Sequence, residues 1–359
     1  MVVLGIDTHK RTHTVVAVDE QGRKIGQRTI GTTSSDHLEA VAWADQLAPD
    51  EVADQVWAVE DCRHLSRRLE RDLLTAGRRI VRVHPKLMAH ARDAARSYGK
   101  SDPIDALAVA RAALREPELP TARLDGPCRD VRLLVDHRDD LVAERTRVIN
   151  RLRWHLHELD PALVLPSRTL HRPKNLGEIT EFLERLDGQA NPVVVRLARD
   201  LLHRCALLTS DITTLEKDIV DRVADLVPTL LTIVGCAGLT AAKILGETAG
   251  IDRFRSKDAY ARYTGTAPLP VWTGNRERHR LSRVGNRQLN AALHRIAITQ
   301  AHYHPAARDL LQRRRQAGDT KPESLRALKR RLSDVVFQAL RQDLHRLHAA
   351  GLTPLPAAA

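Results

Sequence analysis

The sequence predicts an α/β domain with a mixed β-sheet at the start of the chain, followed by a mainly helical remainder. Over the first 120 residues, short runs of Val, Ile and Ala alternate with amphipathic segments, as expected for strands interleaved with helices. Farther along, leucines recur at helical spacings. Hydrophobic residues make up 43% of the chain but aromatic residues only 3%, so the core must be mainly aliphatic.

Five strands and four helices are predicted in the first 120 residues. The dipeptide Gln21-Gly22 favours a hairpin turn between the second strand and the third. Three antiparallel strands followed by a β-α-β-α order are typical of an RNase H-like domain, which we expect to end near residue 120. The predicted strands are 2–6, 14–19, 24–30, 56–60 and 80–83, and the predicted helices are 35–47, 65–76, 85–95 and 102–114.

Two long helices are predicted in the middle of the chain. Between residues 129 and 159, Leu134, Leu141 and Val148 recur every seven residues, which favours an amphipathic helix or a coiled coil. A segment rich in Pro and Gly, 160–191, then interrupts the pattern. The two helices could pair with each other or across a dimer. The second helix has apolar residues at Leu197, Leu201, Leu208, Ile212, Leu215 and Ile219.

The last third of the chain carries candidate contacts to nucleic acid. The text LTIVGCAGLTAAKILGETAG resembles a helix-hairpin-helix, in which Gly235 and Gly238 would let backbone amides approach a phosphate. A loop rich in Pro and Gly is predicted at 266–274, followed by a basic stretch whose guanidinium groups suit bidentate phosphate contacts. Helices at 287–300 and 322–348 close the fold. The basic candidates are Arg276, Arg278, Arg280, Arg283 and Arg287.

These changes of pattern divide the chain into four predicted parts. Residues 1–120 form the RNase H-like domain, and residues 121–228 a helical linker region. Residues 229–350 form a C-terminal domain, and residues 351–359 a loose tail.

Charge and composition favour a polyanionic partner. The net charge is +12 and the pI about 10.0, as in many proteins that bind DNA or RNA, although an Arg-rich proteome gives the same excess. The four cysteines lack C-x-x-C spacing, which argues against a zinc site and fits a reducing cytosol. No run of about 18 apolar residues or signal peptide is found, so we expect a cytoplasmic protein without a membrane partner.

Four carboxylates carry the clearest chemical signal. Asp7 and Glu60 each end a predicted strand, and the ends of neighbouring parallel strands converge on one edge of a sheet. Asp102 is predicted as the N-cap of a helix, with Pro103 in its first position. Asp105 then follows on the same helix face. Taken singly, each acid could be a cap or a turn residue. Together they would repel one another unless cations were bound, and they predict a Mg²⁺ or Mn²⁺ site for phosphodiester chemistry.

At this point the motifs resemble the insertion-sequence transposases of the one-ten (IS 110) family, the DEDD transposases with a RuvC-like domain. The family's acidic tetrad matches Asp7 in LGIDTHK, Glu60 in WAVED, and Asp102 and Asp105 in KSDPIDA. Its C-terminal domain resembles VGCAGLTAAKILGE, YTGTAP and RHRLSRVGNRQLNAAL. The resemblance therefore covers nearly the whole chain.

The resemblance implies a recombinase that excises and inserts its own element. In the family, a structured noncoding RNA, called a bridge RNA in some members, pairs with donor and target DNA. A serine hydroxyl in the C-terminal domain attacks a DNA phosphate and gives a covalent intermediate. The acidic tetrad with Mg²⁺ completes a composite active site between protomers, which implies a dimer or a tetramer.

The sequence departs from the family at the nucleophile. The family has a serine followed by glycine five residues after the Pro of a G-x-x-P-like loop. Here Thr273 stands five residues after Pro268 and is followed by Gly274. Threonine keeps a hydroxyl, but its methyl group restricts χ1. We expect Thr273 to be the nucleophile; the alternatives are a weakened or inactive copy, or a displaced nucleophile such as Ser282.

Three other functions remain compatible with the sequence. A metal-dependent nuclease of the Holliday-junction resolvase type would use the tetrad but would not need Thr273. A decayed transposase would bind nucleic acid without catalysis, although four intact acids argue against decay. The related invertases of pilin genes share the motifs and act on other DNA. In each case the low aromatic content argues against base stacking as the main contact.

Overall fold

The structure is a computed structural model, and its chain forms two compact units. One unit holds Met1–Gly126, and the other starts at Pro127. Side chains are described throughout except at 271–273 and 276–280. The structure describes residues 1–60, 65–83, 87–88, 101–116, 119, 121–122, 126–186, 188, 190–273, 276–280 and 285–351.

A mixed five-stranded sheet forms the centre of the first unit, as predicted. The strand order is β3-β2-β1-β4-β5. The first three strands, β1 (Val3–Thr8), β2 (His13–Val18) and β3 (Lys24–Ile30), form an antiparallel meander. The next two, β4 (Val56–Glu60) and β5 (Arg79–Val83), run parallel to β1. This order and these directions are those of an RNase H-like sheet.

Helices cover both faces of this sheet because alternate strand residues point to opposite sides. On one side, α1 (Ser34–Leu47) and α2 (Arg67–Thr75) pack on Leu4 and Ile6. A 3₁₀ helix (Pro49–Asp54) follows α1. The helix predicted at 85–95 lies, apart from residues 87–88, outside the described residues.

On the other side of the sheet, α3 (Asp102–Arg115) lies directly against β1. The close approach is possible because Gly5 has no side chain. A Cβ atom at Gly5 would stand 2.1 Å from the carbonyl oxygen of Ala106 and 2.4 Å from the amide nitrogen of Ala110. The start of α3 is therefore held at a fixed distance from the end of β1.

The prediction that Asp102 caps this helix is wrong by one residue. Ser101 is the N-cap, with extended backbone, and Asp102 is the first helical residue. The amide of Asp105 donates a hydrogen bond to the carbonyl oxygen of Ser101 at 3.0 Å. Serine is as good an N-cap as aspartate, so the sequence did not distinguish the two positions.

Two long helices dominate the start of the second unit and pack against each other within one chain. They are α4 (Pro127–Leu159) and, after a shorter helix, α6 (Pro192–Leu226). The two run antiparallel: Arg138 of α4 contacts Glu216 of α6 at 2.8 Å, and Glu144 contacts Arg204 at 2.6 Å.

Two details of this region differ from the predictions. Leu197 is 39% exposed, whereas Leu208, Ile212 and Ile219 are buried as predicted. The interrupting segment contains α5 (Pro173–Arg185). Pro173 begins this helix instead of breaking one, because proline is tolerated in a first helical turn.

The remainder of the second unit is a helical domain with one two-stranded ribbon. The ribbon corrects the prediction of a loop at 266–274, because Leu269–Thr273 is a strand. Leu289, Leu293 and Ile296 are buried in the core of this domain, and no helix in the described part of the chain is long and apolar enough to cross a membrane. The elements are α7 (Pro228–Leu231), α8 (Gly238–Thr248), α9 (Lys257–Tyr263), β6 (Leu269–Thr273), β7 (Arg276–Arg280), α10 (Arg287–Tyr303), α11 (Pro305–Gln316) and α12 (Lys321–Ala349).

Candidate active site

Asp7 and Glu60 lie at the same edge of the sheet. The parallel ladder between β1 and β4 ends with Ile6 opposite Val59. Asp7 and Glu60 are the next residues on the two strands, so they are neighbours across the ladder. Asp7 is only 7% exposed, whereas Glu60 is partly exposed.

The first turn of α3 brings two more carboxylates to this edge. Asp105 is 9% exposed, whereas the side chain of Asp102 is half exposed. Burial raises the pKa of Asp7; His9 opposes the increase, and the carboxylates of Asp105, Asp102 and Glu60 add to it. Each of the other three predicted acids therefore lies within electrostatic reach of Asp7. A cluster of this kind is destabilised by its own charge until cations neutralise it.

His9 also belongs to this cluster, although it was not among the predicted site residues. Its Nε2 atom lies 3.2 Å from Oδ2 of Asp7 and 3.3 Å from Oδ1 of Asp102. These three residues offer ligand atoms that all lie within 4.8 Å of one another. A tight turn, in which the amide of His9 donates to the carbonyl oxygen of Thr12 at 3.0 Å, holds the residue just beyond β1.

The donor set fits a divalent cation. Carboxylate oxygens are the ligands that Mg²⁺ and Mn²⁺ prefer, and an imidazole nitrogen is compatible with Mn²⁺. Asp7 and Asp105 are buried carboxylates. Because little water reaches them, a bound cation would stabilise their negative charge in place of solvent. Asp102 and His9 are half exposed, which leaves one side of the cluster accessible to a substrate.

The ribbon of the second unit carries the predicted hydroxyl. Thr273 is opposite Arg276 in the register, Val271 is opposite Arg278, and Leu269 is opposite Arg280. The backbone of Thr273 is thus adjacent to Arg276, and two further arginines follow at alternate positions along β7. Arg287 is the exposed first residue of α10. Arg283, Ser282 and Gly274 lie outside the described residues.

A partly buried hydrogen-bond network supports the turn that leads into this ribbon. The side-chain amide of Asn290 donates to the carbonyl oxygens of Thr264 at 2.9 Å and Gly265 at 3.1 Å. Lys329 in turn donates to Oδ1 of Asn290 at 2.5 Å. Burial lowers the pKa of Lys329 to about 8, and nearby Arg326 contributes in the same direction.

Two glycines let this turn pack against the start of α10. A Cβ atom at Gly285 would stand 2.2 Å from the amide nitrogen of Gly265. The amide of Asn286 also donates to the carbonyl oxygen of Tyr263. The separate sequence motifs YTGTAP and GNRQLN therefore form one structural unit, which sequence reasoning missed because their contact spans about twenty residues.

The predicted glycine turn has a packing explanation. Gly235 has a left-handed backbone, and a Cβ atom there would stand 2.9 Å from Cβ of Thr299 in α10. A Cβ atom at Gly238 would stand 2.6 Å from a methyl group of Val220 in α6. The first helix of the expected hairpin, α7, has only four residues. Phosphate contacts by this turn stay a prediction.

Comparison with known proteins identifies the chain. Its residues 4–161 match the DEDD transposase domain of the IS110 type, and residues 227–312 match the transposase family IS116/IS110/IS902. The chain belongs to the IS110 family of transposases. The first match includes all four predicted acids, and the second includes Thr273. The resemblance seen in the sequence is confirmed, and the protein is an enzyme that acts on DNA.

Proteins of other insertion elements match this IS110-family transposase over nearly its full length. A 44.8 kDa protein of insertion element IS116 from Streptomyces clavuligerus is 26% identical over 94% of both chains. A 42 kDa protein of IS900 from Mycobacterium paratuberculosis is 23% identical, over 94% of this chain and 95% of its own. A 43.6 kDa protein of IS110 from Streptomyces coelicolor is 26% identical, over 95% of this chain and 94% of its own.

Among solved structures, RuvC from Thermus thermophilus in complex with a Holliday junction substrate matches part of the transposase. The match covers 33% of this chain and 94% of that chain, with 16% identity and a TM-score of 0.26. Thermus thermophilus RuvC in a second structure matches with 17% identity and the same TM-score of 0.26.

Proposed function

We propose that this transposase cleaves and exchanges DNA strands with a divalent cation held by Asp7, Glu60, Asp102 and Asp105. The observation that carries the proposal is the burial of Asp7 at the strand edge it shares with Glu60, where nearby carboxylates and burial both raise its pKa. Carboxylates held close together repel one another, and Mg²⁺ or Mn²⁺ bound among them would relieve that repulsion and stabilise the fold. A cation bound there would neutralise charge on the phosphate that is being transferred.

The proposed nucleophile is the hydroxyl of Thr273. Its oxygen would form an ester bond to the DNA phosphorus while the bond from phosphorus to a deoxyribose oxygen breaks. The threonine proton passes to solvent or a base, and the departing oxygen takes up a proton to become a hydroxyl. The ester conserves the bond energy, so a second strand can be joined by the reverse step. The family resemblance and the position of Thr273 in the second matched region support this assignment.

The basic residues of the second unit would hold the DNA backbone near Thr273. Three of them, Arg276, Arg278 and Arg280, occupy alternate positions on the strand paired with Thr273. Such contacts position a duplex without reading its sequence. We propose that a guide RNA from the element supplies sequence recognition by base pairing, and that protomers assemble as a dimer or a tetramer.

The test is a search for DNA covalently attached to the protein. Purified protein is mixed with Mg²⁺, RNA transcribed from the flanking noncoding DNA, and labelled donor and target duplexes. The products are denatured and separated, and wild type is compared with Thr273→Ala, Thr273→Ser and Asp102→Ala. We expect an adduct in wild type and in Thr273→Ser and none in the other two variants.

The other outcomes distinguish the alternative functions. Free cut ends without an adduct, unchanged in Thr273→Ala, would show simple metal-dependent hydrolysis of the resolvase type. Binding of DNA or RNA with neither adduct nor cleavage in wild type, but with an adduct in Thr273→Ser, would show a copy that is inactive because of its threonine.

A further inference from the structure

The histidine beside the acidic tetrad has an unusual contact geometry for an ion pair. Nε2 of His9 lies at 3.2 Å and 3.3 Å from oxygens of two different carboxylates, Asp7 and Asp102. Charge-assisted N–H···O contacts normally close to about 2.7–2.9 Å. A ring nitrogen also carries a single hydrogen, so contacts to two separate carboxylates can only be the two arms of one shared and therefore weaker hydrogen bond. Neither carboxylate thus has a short, strong contact with Nε2, which leaves this nitrogen available to a stronger partner that both carboxylates share.

The same separations are those of ligands around one metal ion. Ligand atoms at about 2.1 Å from a six-coordinate ion lie about 3 Å apart when they occupy adjacent positions. Nε2 of His9 has this separation from both oxygens, and the three ligand atoms lie within 4.8 Å of one another. Carboxylate oxygens and an imidazole nitrogen form a common donor set for divalent transition metals.

The surroundings of His9 leave it available for this role. Its side chain is half exposed, so it is not a core residue whose position is dictated by packing. The turn to Thr12 places His9 at the accessible side of the cluster. Asp7 and Asp105 form the opposite, buried side.

We propose that Nε2 of His9 is a direct ligand of the divalent cation and makes the site prefer Mn²⁺ to Mg²⁺. The proposal rests on the metal site proposed above and goes beyond it by adding a nitrogen donor to four carboxylates. Mg²⁺ binds oxygen ligands almost exclusively, whereas Mn²⁺ accepts imidazole as well as carboxylate. A nitrogen ligand therefore shifts the relative affinity of the site towards Mn²⁺.

The test uses Mn²⁺ alone as a probe of the full-length, metal-free protein. Electron spin-echo spectroscopy of bound Mn²⁺ detects the ¹⁴N nucleus of a directly bound imidazole, and it requires no enzymatic turnover. We expect a ¹⁴N signal in wild type and its loss in His9→Gln, which should still bind Mn²⁺. Loss even of a group that only orients a ligand typically costs roughly 10- to 100-fold in metal affinity, so we expect about a tenfold lower Mn²⁺ affinity. The Mg²⁺ affinity, measured by displacement of Mn²⁺, should fall less.

Two variants serve as controls. His157→Gln replaces an exposed histidine of α4 and should leave the ¹⁴N signal and the affinity unchanged. Asp7→Asn should weaken Mn²⁺ binding itself. Thermal unfolding of the metal-free proteins checks that His9→Gln is folded, as expected for a half-exposed residue.

The outcomes separate this proposal from the proposed metal site. If Mn²⁺ binds in a manner that depends on Asp7 but gives no ¹⁴N signal, or one that survives in His9→Gln, the role of His9 is overturned while the metal site stands. If the wild-type protein binds no Mn²⁺, both proposals fail. Both also fail if Asp7→Asn binds Mn²⁺ as tightly as wild type does.

Discussion

Gly5 lies so close to α3 that a Cβ atom on it would stand 2.1 Å from the carbonyl oxygen of Ala106. The contact joins the strand that carries Asp7 near its end to the helix that begins at Asp102. Since neither side of the contact includes a flexible side chain, the spacing between these two groups of acids is determined by backbone atoms.

We therefore predict that Gly5→Ala damages both the fold and the metal site. Overpacking a core typically costs about 1–3 kcal/mol, and here the clash is with backbone, so we expect at least about 3 kcal/mol from the free energy of unfolding. Mn²⁺ affinity should fall as well, because α3 must move away from Asp7. Urea denaturation and metal titration measure the two effects.

Gly177→Ala is the matched control for this substitution. Gly177 lies in α5, and no atom lies near the position that its Cβ would take. The substitution should therefore be neutral or stabilising by up to about 1 kcal/mol. A Gly5→Ala protein as stable as Gly177→Ala would contradict the argument.

The mutual repulsion of the clustered acids predicts that removing one charge raises the stability of the metal-free protein and lowers its activity. Burial raises the pKa of Asp7, and three carboxylates add to this effect against the opposing influence of His9, so its charged form is disfavoured in the folded, metal-free protein. Asp7→Asn should therefore raise the stability of the metal-free protein, by on the order of 1 kcal/mol. DNA strand exchange should fall more than about 100-fold, as expected for loss of a metal ligand.

The measurement is thermal unfolding in the presence of a chelator, followed by a strand-exchange assay with Mg²⁺ restored. Asp140→Asn, at an exposed carboxylate of α4, should change neither quantity. Destabilisation by Asp7→Asn in chelator would mean that Asp7 stabilises the fold without metal, contrary to this account.

A buried histidine pair predicts a pH dependence of stability in the first unit. The ring of His13 stacks on that of His37 at a centroid distance of 5.5 Å. Burial lowers the pKa of His13 to about 4, with His37 and His9 contributing in the same direction. The unfolded chain binds more protons than the folded one between pH 4 and about 6.5, so stability rises with pH in this window. The stability that comes from keeping His13 neutral is fully present above about pH 6.5 and is lost as the pH falls towards 4.

The expected loss across that window is on the order of 3 kcal/mol, from a shift of about 2.5 units. Urea denaturation of wild type and His13→Gln between pH 4 and 7.5 measures it. The variant should have a flatter profile, whereas His203→Gln, at an exposed histidine of α6, should follow wild type. Parallel profiles for wild type and His13→Gln would rule out His13 as the titrating group.

The network behind the ribbon predicts a positioning role for Asn290. In Asn290→Ala the carbonyl oxygens of Thr264 and Gly265 lose their donor, and Lys329 loses its acceptor. Leaving buried polar groups unpaired costs about 1–3 kcal/mol. Because the turn leads into the strand that carries Thr273, adduct formation should slow while DNA affinity changes little.

Filter binding and the adduct assay separate these two effects. Asn150→Ala, on the exposed surface of α4, should leave both unchanged. An equal loss of DNA affinity and adduct formation in Asn290→Ala would indicate general unfolding of the region instead of a displaced nucleophile.

The sheet of the first unit could be predicted from the sequence because its three central strands, β2, β1 and β4, are buried on both faces. Runs such as those around Ile6 and Val59 are almost entirely apolar, and their ends carry the polar residues. The convergence of Asp7 and Glu60 then followed from the rule that parallel strands end at one edge. The strands and α-helices that are described in this unit begin and end within two residues of their predicted boundaries.

The ribbon and α5 could not be predicted with the same rules. Pro268, Pro270 and Gly274 are typical of a loop. The residues of β7, RERHR, are all polar, so the strand lacks the apolar face by which strands are recognised in a sequence. The dipeptide Gly274-Asn275 between the two strands was the available hairpin signal. The prolines of the segment 160–191, which include Pro173, were interpreted as an interruption of the helical pattern, although proline also begins helices.

The part played by His9 depends on distances that no local pattern contains. A histidine two residues after Asp7 is unremarkable in sequence, because its relation to Asp102 spans more than ninety residues. The same holds for Asn290, whose partners Thr264 and Lys329 lie on either side of it at long separations in the chain. Contacts of this kind arise from tertiary packing and become visible only in the folded chain.

The antiparallel pairing of α4 with α6 has a consequence for assembly. Because α4 and α6 pair within one chain, two copies need not exchange helices in order to associate. We call this antiparallel pair the arm. The dimer or tetramer proposed above would then form by docking of preformed surfaces, without the large heat-capacity change that accompanies folding on binding. The outer surface of the arm, where Trp154 is 74% exposed, is then already present in the isolated protomer.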